Sequence, residues 1–189
     1  MGENKQRLLA GDWYLPDDPE LADDHRRCVG LCADFNAAER LPYAERFALL
    51  ERLLGSVGEG VRIRAPFRCD FGRHIGIGAR TFVNFGAVLL DAAPITIGAD
   101  VQIGPNVQLL TPHHALDAER RRAGWEKAMP VMIGDNVWLG GGVIVCPGVT
   151  IGENTVVGAG SVVVADLPAG VLAVGNPARV VRVLEPSAG

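Results

Sequence analysis

Ile133-Gly-Asp-Asn-Val-Trp138, Leu139-Gly-Gly-Gly-Val-Ile144, Val145-Cys-Pro-Gly-Val-Thr150, Ile151-Gly-Glu-Asn-Thr-Val156 and Val157-Gly-Ala-Gly-Ser-Val162 follow one another without a gap. Each unit begins with an aliphatic residue, usually has glycine second, and places a small or β-branched residue fifth. Ile97–Gln102 and Ile103–Gln108 repeat the pattern upstream, which makes seven units in register, and Ile77–Phe82 and Val83–Val88 extend it less regularly. A six-residue period of this kind describes a coil of short strands and sharp corners, the parallel β-helix of hexapeptide repeats. The first position points inward and stacks on its equivalent one coil away. The fifth also points inward but must be small, because three faces converge on a narrow interior. Glycine, Asn and Asp occupy corners where the backbone angles disfavour other residues. Solenoids of this type leave flat outer faces, which oligomerisation buries, and the repeat by itself specifies no chemistry.

Composition agrees with that reading. Of 189 residues 24 are glycine, and 18 of these follow residue 60. Hydrophobic residues make up 48% but aromatics only 6%, so the interior is aliphatic. That much apolar material argues against disorder, and glycines without a three-residue period argue against collagen. A net charge of −4 argues against nucleic acid as a partner. No apolar run is long enough to span a membrane. The start, MGENKQRLLAGDW, has no apolar core or cleavage site of a signal peptide, so a cytoplasmic protein with reduced thiols is expected.

Residues 1–60 read differently, as a helical cap. Leu21, Cys28, Leu31, Cys32 and Phe35 lie on one helix face, and Leu41, Phe47, Leu50 and Leu54 mark a second helix, started near Pro42 and stopped by Gly55. The β-helix is expected over 61–184 and a tail over 185–189. Cys28 and Cys32, one turn apart, could be a metal pair, but no second pair lies at zinc spacing, so buried thiols are the preferred reading and no metal is assigned. From Ala115 to about Pro130 the period breaks into ALDAERRRAGWEKAMP, and a long loop thrown out of a rigid solenoid suggests function. Its charged run Glu119–Arg122 reads as the solvated outer part. His113 and His114 precede this loop. Extended backbone sends neighbouring side chains to opposite faces, so the two cannot share one role. His25 reads as a surface residue, and His74 has no evident partner in sequence.

The segments FRCDFG (67–72), VNFGAVLLD (83–91), TPHHALD (111–117), IGDNVW through GAGSVV (133–163) and GNPARVVR (175–182), with AGDWY (10–14) ahead of an acidic helical stretch, resemble the maltose/galactoside O-acetyltransferase family. The resemblance covers about residues 8 to 184. It implies a mainly β protein, a left-handed parallel β-helix with a small N-terminal α-helical cap, assembled as a homotrimer with active sites between neighbouring subunits. It further implies acetyl transfer from acetyl-CoA, a cosubstrate and not a bound cofactor, to a hydroxyl of a small carbohydrate acceptor. In the family's pattern the general base falls on His114. A sugar hydroxyl is a poor nucleophile at neutral pH, and a neutral imidazole can accept its proton during attack on the thioester. Asp70, Asn84 and Asp91 fall at acceptor-side positions. Trp138, Gly141, Ala159, Arg179 and Arg182 fall at acetyl-CoA positions, although Trp138 taken alone reads equally as core packing and the arginines as ordinary surface residues.

Several departures accompany the resemblance. Val164-Ala165 replaces a Thr-Lys pair, removing one CoA-facing cation. Pro16 and Ala92 stand where acids are common on the acceptor side, so the sugar's identity cannot be borrowed. Ala115 replaces a proline after the histidine and is expected to loosen the local backbone. Other readings of the same chain are an acetyltransferase for an oligosaccharide or amino-sugar, a zinc-dependent carbonic anhydrase, which would need one more metal-facing histidine than the chain offers, and a non-catalytic trimeric scaffold.

Overall fold

A computed structural model describes residues 1–185; the tail expected at 185–189 lies, from 186 onward, outside the described residues. Three helices lead into the solenoid: α1 (Glu3–Leu9), α2 (Pro19–Ala37) and α3 (Tyr43–Leu53). Asp18 caps α2 by accepting the Glu20 N–H at 2.9 Å, with Pro19 in the first turn where its missing donor costs nothing. The inner face of α2 is Leu21, Cys28, Cys32 and Phe35, as the sequence spacing indicates. Among the described residues no helix is long and apolar enough to cross a membrane.

From Ser56 the chain winds around three parallel sheets that form the faces of a prism. The first face stacks the strands Ser56–Val57, Ile75–Ile77, Ile95–Ile97, Val131–Ile133 and Thr150–Ile151. The second stacks Arg62–Ile63, Phe82–Val83, Gln102–Ile103, Trp138–Leu139, Val156–Val157 and Val171–Gly175, with Ala178–Val183 added antiparallel at its end. The third stacks Phe67–Cys69, Ala87–Leu90, Gln108–Leu110, Ile144–Val145 and Val162–Val163.

Each repeat position has its own physical task. First and fifth positions fill the interior: Ile97 and Val101, Ile133 and Val137, and Leu139 and Val143 are all buried. Each such aliphatic side chain contributes about 1.5–3 kcal/mol of burial free energy. Fifth positions with a hydroxyl pay no unsatisfied-donor penalty, since Thr81 donates to the Gly98 carbonyl and Thr155 to the Pro168 carbonyl at 2.8 and 2.7 Å. Phe67 is too large for the rule but sits at the capped end, edge-on to Phe35 at 6.5 Å.

The two glycine-rich positions differ, and here the structure refines the reading that glycine simply fills corners. The fourth position is left-handed in every regular coil, whether it holds Asn106 (φ +57°), Asn136 (+54°), Asn154 (+58°) or Gly142 (+69°). The second position is glycine because the next coil passes against it. A Cβ on Gly104 would lie 2.6 Å from the Gly141 nitrogen, whereas one on Gly142 would meet nothing within 4 Å. Gly104→Ala is therefore expected to cost about 2–3 kcal/mol through coil-on-coil overlap, and Gly142→Ala about 1 kcal/mol through backbone strain alone. Gly142→Asn should be close to neutral, and thermal unfolding followed by circular dichroism orders the three variants.

Candidate active site

The break in the repeat is an ordered hairpin. Pro112–His114 pairs antiparallel with Glu126–Ala128, and the short helix α4 (Ala118–Arg122) forms its tip. Thr111 stitches its base to the solenoid, donating to the Leu90 carbonyl at 2.6 Å and accepting the Ala93 N–H at 2.9 Å. The expected looseness after His114 is not found. Ala115 is buried, and Arg121 donates to the carbonyls of Ala115 and Leu116, both at 2.9 Å. Glu119, Arg120, Arg121 and Arg122 are all exposed as expected, yet Arg121 makes these two bonds and Arg120 lies over the Trp13 ring at 5.3 Å.

Hairpin register brings His114 opposite Glu126 and His113 opposite Lys127. The two histidines diverge. His113 packs edge-on against Trp13 at 5.5 Å between ring centres. His114 is exposed, with Nδ1 3.7 Å from a Glu126 carboxylate oxygen. The other oxygen of Glu126 accepts the Tyr14 hydroxyl at 3.0 Å, and the backbones of Tyr14 and Glu126 exchange N–H bonds at 2.9 and 3.0 Å. Burial and the Glu126 charge hold the Tyr14 hydroxyl far above its ordinary pKa, so it serves as a permanent donor. The AGDWY segment thus lies against the hairpin as a brace, Trp13 on one histidine and Tyr14 on the acid facing the other.

Beside this group lies a cavity of about 260 Å³ whose lining includes Tyr14, His25, Asp70, Phe71, Pro112 and Glu126. Pro16 and Ala92, the two departures on the acceptor side, line the same cavity. Asp70 is pushed up to about 6, first by burial and then by the charge of Asp91, with His25 opposing. Asp91 is fully buried behind it, its carboxylate accepting the backbone N–H groups of Asp70, Phe71 and His74 at 3.0, 2.8 and 3.2 Å. Its charge is consumed in shaping the turn that presents Asp70. His74, for which sequence offered no partner, contacts the Asp91 carbonyl through Nδ1 at 2.7 Å. His25 is exposed, with Nδ1 3.1 Å from the Asp70 carbonyl.

The remaining expected site residues gather on a different edge of the prism. Asn84 follows the second face and occupies the place that Gly104, Gly140 and Gly158 take in later coils, each bonding upward to the next coil's carbonyl. Gly141 and Ala159 stack directly above one another at that corner, the Gly160 N–H reaching the Gly141 carbonyl at 2.9 Å. Trp138 projects outward from the adjoining face, 56% exposed, which rules out core packing. Arg179 and Arg182 are exposed on the last strand of the same face. The structure therefore joins His114, Asp70 and Asp91 with Tyr14, His25 and Glu126. It places Asn84, Trp138, Gly141, Ala159 and both arginines along the second face and its far corner, apart from them within one chain. Glu126 and Tyr14 were missed by sequence reasoning; only the pairing of strands separated by the loop reveals them.

Comparison with known proteins accords with this architecture. The maltose acetyltransferase hexapeptide capping motif matches residues 7–58, and the six-repeat bacterial transferase hexapeptide model matches residues 130–165. Nodulation protein L of Rhizobium meliloti is 46% identical over 176 residues, covering 93% of this chain and 96% of that one. The crystal structure of a maltose O-acetyltransferase from Clostridium difficile superposes with a TM-score of 0.95 at 43% identity, covering 97% of this chain and 98% of the other. The chain belongs to the maltose/galactoside O-acetyltransferase family. Its solenoid is accordingly the left-handed β-helix of hexapeptide-repeat acetyltransferases, an exception to the right-handed crossover rule. A hexapeptide-repeat acetyltransferase from Vibrio cholerae, complexed with acetyl-CoA, aligns with a TM-score of 0.89 at 39% identity over 98% of this chain and all of that one. Acetyl-CoA is the cosubstrate that this acetyltransferase fold accommodates.

Because folded Asp70 holds its proton above the ordinary carboxylate value near 3.8, raising the pH from about 4 through about 6 removes stability that the protonated form supplies. Melting temperatures of the wild type should therefore fall relative to Asp70→Asn across that window and run parallel above it. Parallel profiles from pH 4 to 7 would place the Asp70 carboxyl in solvent.

Proposed function

We propose that this acetyltransferase moves the acetyl group of acetyl-CoA to a hydroxyl of a sugar or sugar-like acceptor, with His114 as the general base. The observation that carries this reading is the His114–Glu126–Tyr14 arrangement at the rim of the cavity holding Asp70. With Nδ1–H directed at the Glu126 carboxylate, the imidazole presents Nε2 as the acceptor of a proton. The acceptor's oxygen attacks the thioester carbonyl as its proton passes to Nε2. Collapse of the tetrahedral intermediate breaks the C–S bond, and the imidazolium returns the proton to the leaving CoA sulfur. The thioester supplies the activation, and the Glu126 charge stabilises the imidazolium formed in between.

Asp70 and the cavity around it suit a polyhydroxyl acceptor, since a partly buried carboxyl can fix a hydroxyl beside the base. Trp138, Gly141, Ala159, Arg179 and Arg182 are proposed to line the acetyl-CoA path. The small residues permit close approach of an extended pantetheine arm, and the arginines suit phosphates. Asn84, on the same edge, is proposed to meet the acceptor where the two paths converge, and Asp91 to act through the position of Asp70. Within one chain the acetyl-CoA edge and the His114 cavity lie on different corners of the prism, which supports a homotrimer whose sites form between subunits. Exposed Phe85, Met132, Trp138 and Leu116 offer apolar surface for such an assembly. Four unpaired cysteines fit the reducing cytoplasm, where acetyl-CoA is supplied.

An acceptor screen with acetyl-CoA, reading release of free CoA thiol, tests the reaction; simple sugars, amino-sugars and oligosaccharides form its arms. His114→Ala should lower kcat by about 10²–10⁴-fold, and retention of activity within a few-fold would remove the general-base assignment. Glu126→Gln should lower kcat by about tenfold or more with little change in the KM for acetyl-CoA. Light scattering should give three chains of 20.0 kDa per particle; a monomer as active as the assembly would eliminate the shared site.

A further inference from the structure

The junction between cap and solenoid contains a side-chain cluster that acetyl transfer does not use. Cys28 and Cys32 lie one turn apart on the inner face of α2, and Cys69 ends the strand Phe67–Cys69 that packs against it. Their Sγ atoms form a triangle with sides of 3.4 Å (Cys28–Cys69), 3.6 Å (Cys32–Cys69) and 4.0 Å (Cys28–Cys32). The residues are 0%, 2% and 8% exposed, and none is in a disulfide. Among the described residues this is the one group of three metal-donor side chains whose ligand atoms converge.

The triangle has the size of a metal–thiolate site. The point equidistant from the three sulfurs lies about 2.1 Å from each in their plane, just inside the ~2.3 Å of a zinc–thiolate bond. An ion at bonding distance therefore stands about 0.9 Å out of the plane, close to the ~0.8 Å of a regular tetrahedron with one open apex. No backbone movement is needed to reach that geometry. Three sulfur donors select soft metals over magnesium or calcium. Three thiolates on a divalent ion leave one buried negative charge, whereas a monovalent ion would leave two, which favours the divalent class.

We propose that Cys28, Cys32 and Cys69 bind one soft divalent ion of the zinc–cadmium class, which clamps the helical cap to the first turn of the solenoid wall. Binding replaces three S–H bonds by three metal–sulfur bonds and releases three protons to solvent. The site is distinct from the acetyl-transfer group, although the chain leads directly from Cys69 into Asp70. Cap and solenoid already share one continuous apolar core, so the ion adds stability to a protein that folds without it.

The test uses the full chain, reduced, treated with chelator and titrated with Cd(II) under anaerobic conditions. The expected result is an ultraviolet thiolate-to-metal charge-transfer band that saturates at one ion per chain and a melting temperature raised by several degrees. Cys32→Ser and Cys69→Ser should weaken binding at least tenfold, while Cys146→Ser, on a coil away from the cap, should leave it unchanged. X-ray absorption of the Zn(II)-loaded wild type needs no variant, and should show three sulfur scatterers at about 2.3 Å. Absence of the band after several equivalents, fewer than three sulfur scatterers, or a band that depends on Cys146 would overturn the proposal.

Discussion

The spacing of successive coils, about 4.8 Å between hydrogen-bonded strands, governs the rest of the molecule. At that separation the corner after each strand touches the corner of the coil above, and the Gly104 position leaves no room for a Cβ beside the Gly141 nitrogen. The same winding draws three faces around a narrow interior, so Val101, Val107, Val137 and Val143 are the size the fifth position accepts. It also converts a separation of about eighteen residues in sequence into direct contact in space. Gly141 and Ala159 become neighbours in that way, as do Asp70 and Asp91 at a less regular corner.

A structure so regular offers little chemistry until it is interrupted. Between the strands Gln108–Leu110 and Val131–Ile133 the chain leaves the prism, and antiparallel pairing takes over from parallel stacking. The hairpin carries His114 away from the wall, and the N-terminal segment returns to brace it through Tyr14. Rigidity on one side and an added brace on the other hold Glu126 beside His114, one carboxylate oxygen bonded to Tyr14 and the other 3.7 Å from the imidazole Nδ1. Polar groups behind the wall serve the same end: Asp91 is spent on three backbone N–H groups so that Asp70 faces the cavity. The long loop is therefore part of the scaffold, and its charged tip contributes two bracing residues, Arg121 on the Ala115 carbonyl and Arg120 over the Trp13 ring.

What could be read from the sequence was whatever depends on local period. The hexapeptide register, the helical cap, the inward first and fifth positions and the break at His114 all follow from residues a few places apart, because short strands and tight corners are decided by nearby backbone angles and side-chain size. Even there the meaning of glycine was divided: a positive φ at Gly142 is a local property, whereas the bareness of Gly104 depends on a coil that arrives 37 residues later in the chain.

Only the tertiary structure decided which groups meet. Glu126 and Tyr14 join His114 through strand pairing across a loop and a contact spanning 112 residues, for which no periodicity exists. Cys69 joins Cys28 and Cys32 because the cap folds back onto the third face, so a helical pair becomes a triad. The separation of the His114 cavity from Trp138, Gly141 and Ala159 is likewise a matter of which corner of the prism each repeat occupies. Sequence alone determined the winding, since each turn is built from its own residues; the site belongs to contacts between turns, and these exist only once the chain is wound.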